Sequence, residues 1–115
     1  MKITTLVTAL LLMLAAPADA QIGKLITEAY EVRLSALRLP QAKAGTIAFK
    51  KCDKCEYMTR LTSPATRWVM NQETVNFDEF KAGLVRVKDR NNAYVTVVHH
   101  LESDRVTEVA IVIYD

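Results

Sequence analysis

Val106 to Tyr114 constrains the fold more than any other stretch of the chain. Val109, Ala110, Ile111, Val112 and Ile113 place apolar side chains on both faces of an extended backbone. A strand apolar on both sides belongs in the interior of a sheet. Ahead of it, Tyr94 to Leu101 carries Val95, Val97 and Val98, and the polar Glu102-Ser103-Asp104-Arg105 joins the two runs. So short a connection serves only an antiparallel pair, so a C-terminal β-hairpin is expected.

One helix stands out before that hairpin. Asn76 can cap the free amides of a first turn, and Glu79 follows at the spacing of a capping box. Phe77, Phe80 and Leu84 recur at three and four residues, an apolar stripe suited to covering the hairpin. The helix is expected over about 76–88. Gly83 inside it costs about 1 kcal/mol relative to Ala, which points to a short helix or to a close neighbour.

The first half of the chain reads as short strands. Tyr30, Val32, Leu34 and Ala36 alternate with Glu31, Arg33 and Ser35, and the phase flips at Leu37 and Leu39 as a bulge would make it do. A helix is the alternative over 30–39, with Leu25, Ala29, Val32, Ala36 and Leu39 on one side; the cleaner alternation favours the strand. Pro40 to Gly45 reads as a connection. Thr46 to Lys51 and Tyr57 to Thr62 form a hairpin closed by Cys52-Asp53-Lys54-Cys55. Tyr57, Thr59 and Leu61 share one side, with Met58 and Arg60 on the other. Ser63-Pro64 is expected to break the run, and two short strands follow around a tight turn at Asn71-Gln72. The sum is an α+β domain, mostly β: an antiparallel sheet or a small open barrel with one short helix.

The N-terminus says where such a domain would work. Lys2 precedes an apolar run from Leu6 to Ala16, Pro17 breaks it, and Ala18-Asp19-Ala20 presents small residues to a signal peptidase. The run is about half of the roughly 20 residues that a spanning helix needs. Residues 1–20 are therefore expected to be a signal peptide cleaved between Ala20 and Gln21. Gln21 stands where a lipoprotein would need cysteine. The remaining 21–115 suffices for one small soluble domain, with 21–29 as a loose lead-in. No second apolar stretch approaches spanning length, so no membrane span is expected after processing. The formal charge of +2 is too balanced for a nucleic-acid binder. Periplasmic location is the expectation.

Cys52-x-x-Cys55 is the motif with most chemistry in it. Two cysteines in an oxidising compartment pair by default, here as a structural clamp on a hairpin tip. One alternative is a redox-active pair, its thiolate favoured by Lys50, Lys51 and Lys54; but a strand and turn flank it where a helix start would be needed. The other alternative is a zinc or copper site joining Cys52 and Cys55 with His99 or His100. Those histidines are adjacent on a strand and point to opposite faces, so at most one could join. Each also has a plain role as a surface or hydrogen-bonded residue near Glu102. Glu56 stands where a covalent haem motif needs histidine, and no nucleophile motif such as G-x-S-x-G is present. No cofactor is expected.

Lys43, Lys50, Lys51, Lys54, Arg60 and Arg67 gather in the middle third of the chain. On one face they would attract an anionic envelope polymer or lipid headgroup; otherwise they are a solvated strand face. Trp68 reads as a core anchor. The export signal, the C-x-x-C near a strand tip, the Asn76-to-Leu84 helix and the Val-rich terminal hairpin together resemble small uncharacterised exported proteins of proteobacteria. That resemblance implies a periplasmic location and no particular activity. The expected function is a non-catalytic binding or envelope-support domain with a structural disulfide, its partner an envelope protein or polymer. The rival is a periplasmic thiol-redox or metal-binding protein.

Overall fold

The computed structural model describes residues 26–114. The expected signal peptide, its cleavage site at Ala20 and Gln21, and lead-in residues 21–25 lie outside the described residues. The rest is mostly β with one helix, a mixed sheet curled into a half-barrel. In chain order the elements are β1 (Thr27–Arg33), a 3-10 turn (Leu34–Ala36), β2 (Leu37–Arg38), β3 (Thr46–Phe49), β4 (Met58–Met70), β5 (Glu73–Val75), α1 (Phe77–Val85), β6 (Tyr94–His100) and β7 (Arg105–Ile111).

The sheet runs β1-β6-β7-β4-β3-β2, with β5 paired to β4. One segment, 27–38, supplies both ends of that order: β1 pairs with β6, and β2 pairs with β3. The 3-10 turn carries the chain from one edge to the other, with Leu34 buried at the corner. It produces the phase flip read at Leu37 as a bulge. Thr27 to Ala29 were expected to be loose and are instead the start of β1, facing His100, His99 and Val98.

β4 and β7 are parallel, so the sheet is mixed and not wholly antiparallel. The parallel pair follows from connectivity: β5, α1 and β6 lie between the two strands and turn the chain around. A circuit of five strands, the first bent to pair with two others and a helix inserted before the fourth, is the connectivity of an OB-fold, the partly open Greek-key barrel.

β4 does not break at Ser63-Pro64. It continues to Met70 through a register shift between Thr62 and Arg67. Proline has no N–H to give the ladder and is accepted where pairing is already irregular. There the Ser63 amide donates to Thr66 Oγ1 at 2.9 Å, and Thr66 donates to the Val106 carbonyl at 2.6 Å. Asn71 and Gln72 both have positive φ, 52° and 72°, the signature of the two-residue turn that suits the twist of a hairpin.

The helix carries the expected cap. The Glu79 amide donates to Asn76 Oδ1 at 2.8 Å, and the Asn76 amide donates back to the Glu79 carboxylate. Phe77, Phe80 and Leu84 are buried. Their nearest cover is β4 and not the terminal hairpin, since the Trp68 ring lies 4.8 Å from Phe77 and 5.3 Å from Phe80. A single core joins them to Val95, Val97, Val109 and Ile111. Met70 explains Gly83: a Cβ there would sit 2.4 Å from the Met70 sulfur. β7 lies between β6 and β4, in the interior of the sheet as expected, though the strand ends at Ile111.

Candidate functional site

The C-x-x-C turn stands where β3 passes into β4. Cys52 and Cys55 form a disulfide across Cα atoms 5.1 Å apart, and the Cys55 amide donates to the Cys52 carbonyl at 3.1 Å. This fixes the direction in which Asp53 points. Its carboxylate lies 3.2 Å from Arg33 Nε on β1. Arg33 also donates to the Asn91 carbonyl at 2.6 Å and faces the Tyr94 ring at 5.5 Å. The Lys50 amide donates to the Ala36 carbonyl at 3.2 Å. The disulfide turn is thus strapped across to β1 and to the loop before β6. A cleft of about 250 Å³ lies there, lined among others by Arg33, Lys50, Lys51, Asp53 and Tyr94.

The outer face of β2–β3–β4 is set by alternation and register. Ile47 and Phe49 are fully buried, so Ala48 between them faces outward. Its partners Arg38 on β2 and Thr59 on β4 share that face, as do Lys50 and Tyr57 by alternation. The small Ala48 leaves room for Arg38 to lie over the strand. The Arg38 guanidinium sits 4.2 Å from the Tyr57 ring centroid, and Lys50 Nζ sits 5.0 Å from the same centroid. Such contacts hold a cation over a ring without neutralising it. Among the described residues the ion pairs are Arg33–Asp53, Arg67–Glu108 and His99–Asp104, so Arg38 and Lys50 have no carboxylate of their own.

The expected anionic-ligand set is divided by this geometry. Lys50 and Lys51 stay beside the cleft, with Lys51 Nζ 5.6 Å from the Tyr30 ring, and Lys54 is exposed in the disulfide turn. Arg67 pairs with Glu108 on the far part of β4. Arg60, opposite buried Ile47, turns inward; it is half-buried and donates to the Thr59 carbonyl at 2.8 Å. Arg33, Arg38, Tyr57 and Tyr94 complete the surface and were missed by sequence reasoning. Their signal lay in strand register, since Arg38 meets Tyr57 only once β2 is laid beside β3.

Inside the barrel, the Tyr30 hydroxyl donates to the Glu28 carboxylate. That bond holds the phenol above its ordinary pKa, burial adds to the rise, and the neighbouring Arg60 guanidinium pulls the other way. Glu28 faces His99 across the β1–β6 ladder. His99 is buried, its Nε2 lying 2.8 Å from Asp104 Oδ1 in the β6–β7 turn, and its Nδ1 has no partner among the described residues. His100 points the other way and meets Ser103 Oγ at 3.0 Å. No three His, Cys, Asp or Glu side chains among the described residues are grouped to hold a metal ion. Neither histidine is brought to the cysteines as a ligand set.

No family model, curated protein or solved structure matches this chain. Strand connectivity is therefore the only link to other folds, and a shared fold does not carry function.

Proposed function

We propose that the chain is an exported, non-catalytic binding domain of the bacterial periplasm that presents the outer face of β2–β3–β4 to an anionic partner in the cell envelope. The observation that carries this reading is the placement of Arg38 and Lys50 over the single ring of Tyr57, with no carboxylate paired to either among the described residues. Two cations held over one exposed ring keep their charge available where β3 gives way to β4. The disulfide has a structural part in this reading: it pins the turn that carries Lys51 and Asp53 beside the same edge. The export signal and the pairing of both cysteines agree with an oxidising compartment.

The test begins with protein purified from cells that express the full chain. Mass spectrometry should find Gln21 as the first residue, and thiol titration should find no free thiol. Titration with polyphosphate at low ionic strength should show binding that weakens as salt is added, since exposed charges are screened beyond roughly 10 Å at 0.1 M salt. Two reactive thiols under air, with zinc or copper co-purified, would replace this reading with the thiol or metal alternative. Absence of any anion binding at low salt would remove the binding face altogether.

A further inference from the structure

We propose that the outer face of β1–β6–β7 carries a second site, a cleft that takes a short peptide with apolar side chains and free ends. It lies on other strands than the face described above and shares none of Arg38, Lys50 and Tyr57. Register builds its floor. Glu31, Thr96 and Ala110 are partners in one row across the three strands, and each stands between buried neighbours, so all three point outward. The small Thr96 and Ala110 leave that row hollow. The loop after α1 and the tail after β7 stand around it and bound a cleft of about 1000 Å³, at the upper end of what pockets for small ligands offer.

The lining combines apolar surface with unpaired charge. Tyr94 is 42 % exposed, Val112 44 % and Tyr114 88 %, and all three line the cleft. Large apolar side chains gathered in the open are what a partner would cover. Glu31, Arg86 and Lys88 line it too, and none of them is in an ion pair among the described residues. Asp89 is already held by the Asn92 side-chain amide at 2.7 Å. Glu31 and Tyr94 also line the smaller cleft beside the disulfide turn, so they mark the end where the two meet; Arg86 and Lys88 line the larger one alone. A carboxylate at one end, two cations on the loop and an apolar hollow complement the amine, the carboxylate and the side chains of a short peptide. Thr96 in the floor adds a hydroxyl that both donates and accepts, as peptide groups require.

Other occupants match less of the lining. A fatty acid would bring one negative head and leave Glu31 without a counter-charge. An aliphatic amine would leave Arg86 and Lys88 in the same state. A second copy in a symmetric pair would set one hollow against the same hollow, and the two would not fill each other.

The experiment follows backbone amide shifts of the purified protein during titration with trileucine, its N-acetyl form and its C-terminal amide. Trileucine should bind saturably, with shifts centred on Glu31, Thr96, Ala110, Val112 and the loop over 86–93. Blocking either end should weaken binding about fivefold, as the loss of an exposed ion pair would. Glu31→Gln should weaken trileucine by a similar factor, and acetylation should then cost nothing more. Arg86→Gln with Lys88→Gln should do the same for amidation, and Arg105→Gln, at the far turn, should change nothing. Melting curves of each variant establish that the fold is intact.

Blocked peptides bound as tightly as the free one, or Glu31→Gln without effect, would overturn recognition of the ends. Shifts centred elsewhere would overturn the placement, and no saturable binding would overturn the site. Self-association that shifts these same amides as protein concentration rises, with no peptide bound, would give the face to a second copy instead. Each failure leaves the β2–β3–β4 reading standing, since the two faces share no ligand-holding residue.

Discussion

The β6–β7 wall and the β3–β4 wall of the half-barrel use their inward positions differently. On the first, Val95, Val97, Val106, Val109 and Ile111 fill the interior almost without exposure. On the second, Ile47 and Phe49 begin an apolar row, but the neighbouring strand continues it with Met58, Arg60 and Thr62. Outward, the second wall carries Arg38, Lys50 and Tyr57 over a disulfide-held edge. One wall gives its inward positions to packing except at His99, which lies at the β6–β7 turn end. The other gives up part of its core to polar groups and keeps an outer face free for contact. Perturbations should separate the two.

The largest effect is expected on the first wall. Ile111→Asp would place a carboxylate at a site 2 % exposed among apolar neighbours, and the several kcal/mol that such burial costs is most of a small domain's stability. Thermal and urea melts should show no cooperative transition. A soluble variant that melts near wild type would mean that the position is open and the wall is itself an interface. Phe80→Ala comes next. Phe80 is fully buried against Trp68, and its truncation should cost about 3–5 kcal/mol. A loss under about 1 kcal/mol would show that the helix contributes little to the wall it covers.

How much of this was legible in the sequence follows the same division. The packing wall writes itself in local pattern: valines alternate along β6, Val106 and Ile111 bound β7, and the Asn76–Glu79 box marks the helix start. The bulges, by contrast, are decided by tertiary fit. Val106 and Val109 both face inward because the β6–β7 register shifts between Val98 and His99, which two-residue alternation does not foretell. The continuation of β4 past Pro64 was hidden for the same reason, since its support comes from Thr66 bonded to Val106, forty residues away. The candidate site was half legible. Lys50 and Lys51 could be picked by charge, but Arg38 and Tyr57 join them only through the sheet, and Arg67 leaves them only through Glu108.

On the second wall the effects should be smaller and local. Replacing both Cys52 and Cys55 by serine opens a loop so short that stability should fall by no more than about 2 kcal/mol. The change should be visible in amide exchange at 50–55 and should leave β6 and β7 protected. It should also weaken anion binding, because the segment from Lys50 to Tyr57 is freed while Arg38 stays on β2. Complete unfolding of the double variant at room temperature would mean that the pair does more than clamp a turn, and would favour the metal alternative.

Tyr30 stands between the two walls, paired with Val97 on one side and with its ring 5.2 Å from Phe49 on the other. Tyr30→Phe keeps the ring and removes the hydroxyl that donates to Glu28, so the expected loss near neutral pH is about 1 kcal/mol. The pH dependence gives the sharper reading. The folded-state pKa is raised above 10.0, chiefly because the proton is held between the phenol and the Glu28 carboxylate. Below that ordinary value both folded and unfolded chains keep the proton, and the bond contributes in full. As the pH climbs further, the unfolded chain releases its proton first, and the contribution is lost progressively until the folded phenol also ionises. Urea melts of wild type and Tyr30→Phe should therefore differ most near neutrality and converge above about pH 10. A gap that stays constant through the alkaline range would show that Tyr30 titrates alike in both states. The polar interior of the second wall would then be open to water, and its difference from the β6–β7 wall would be one of solvent access as well as of composition.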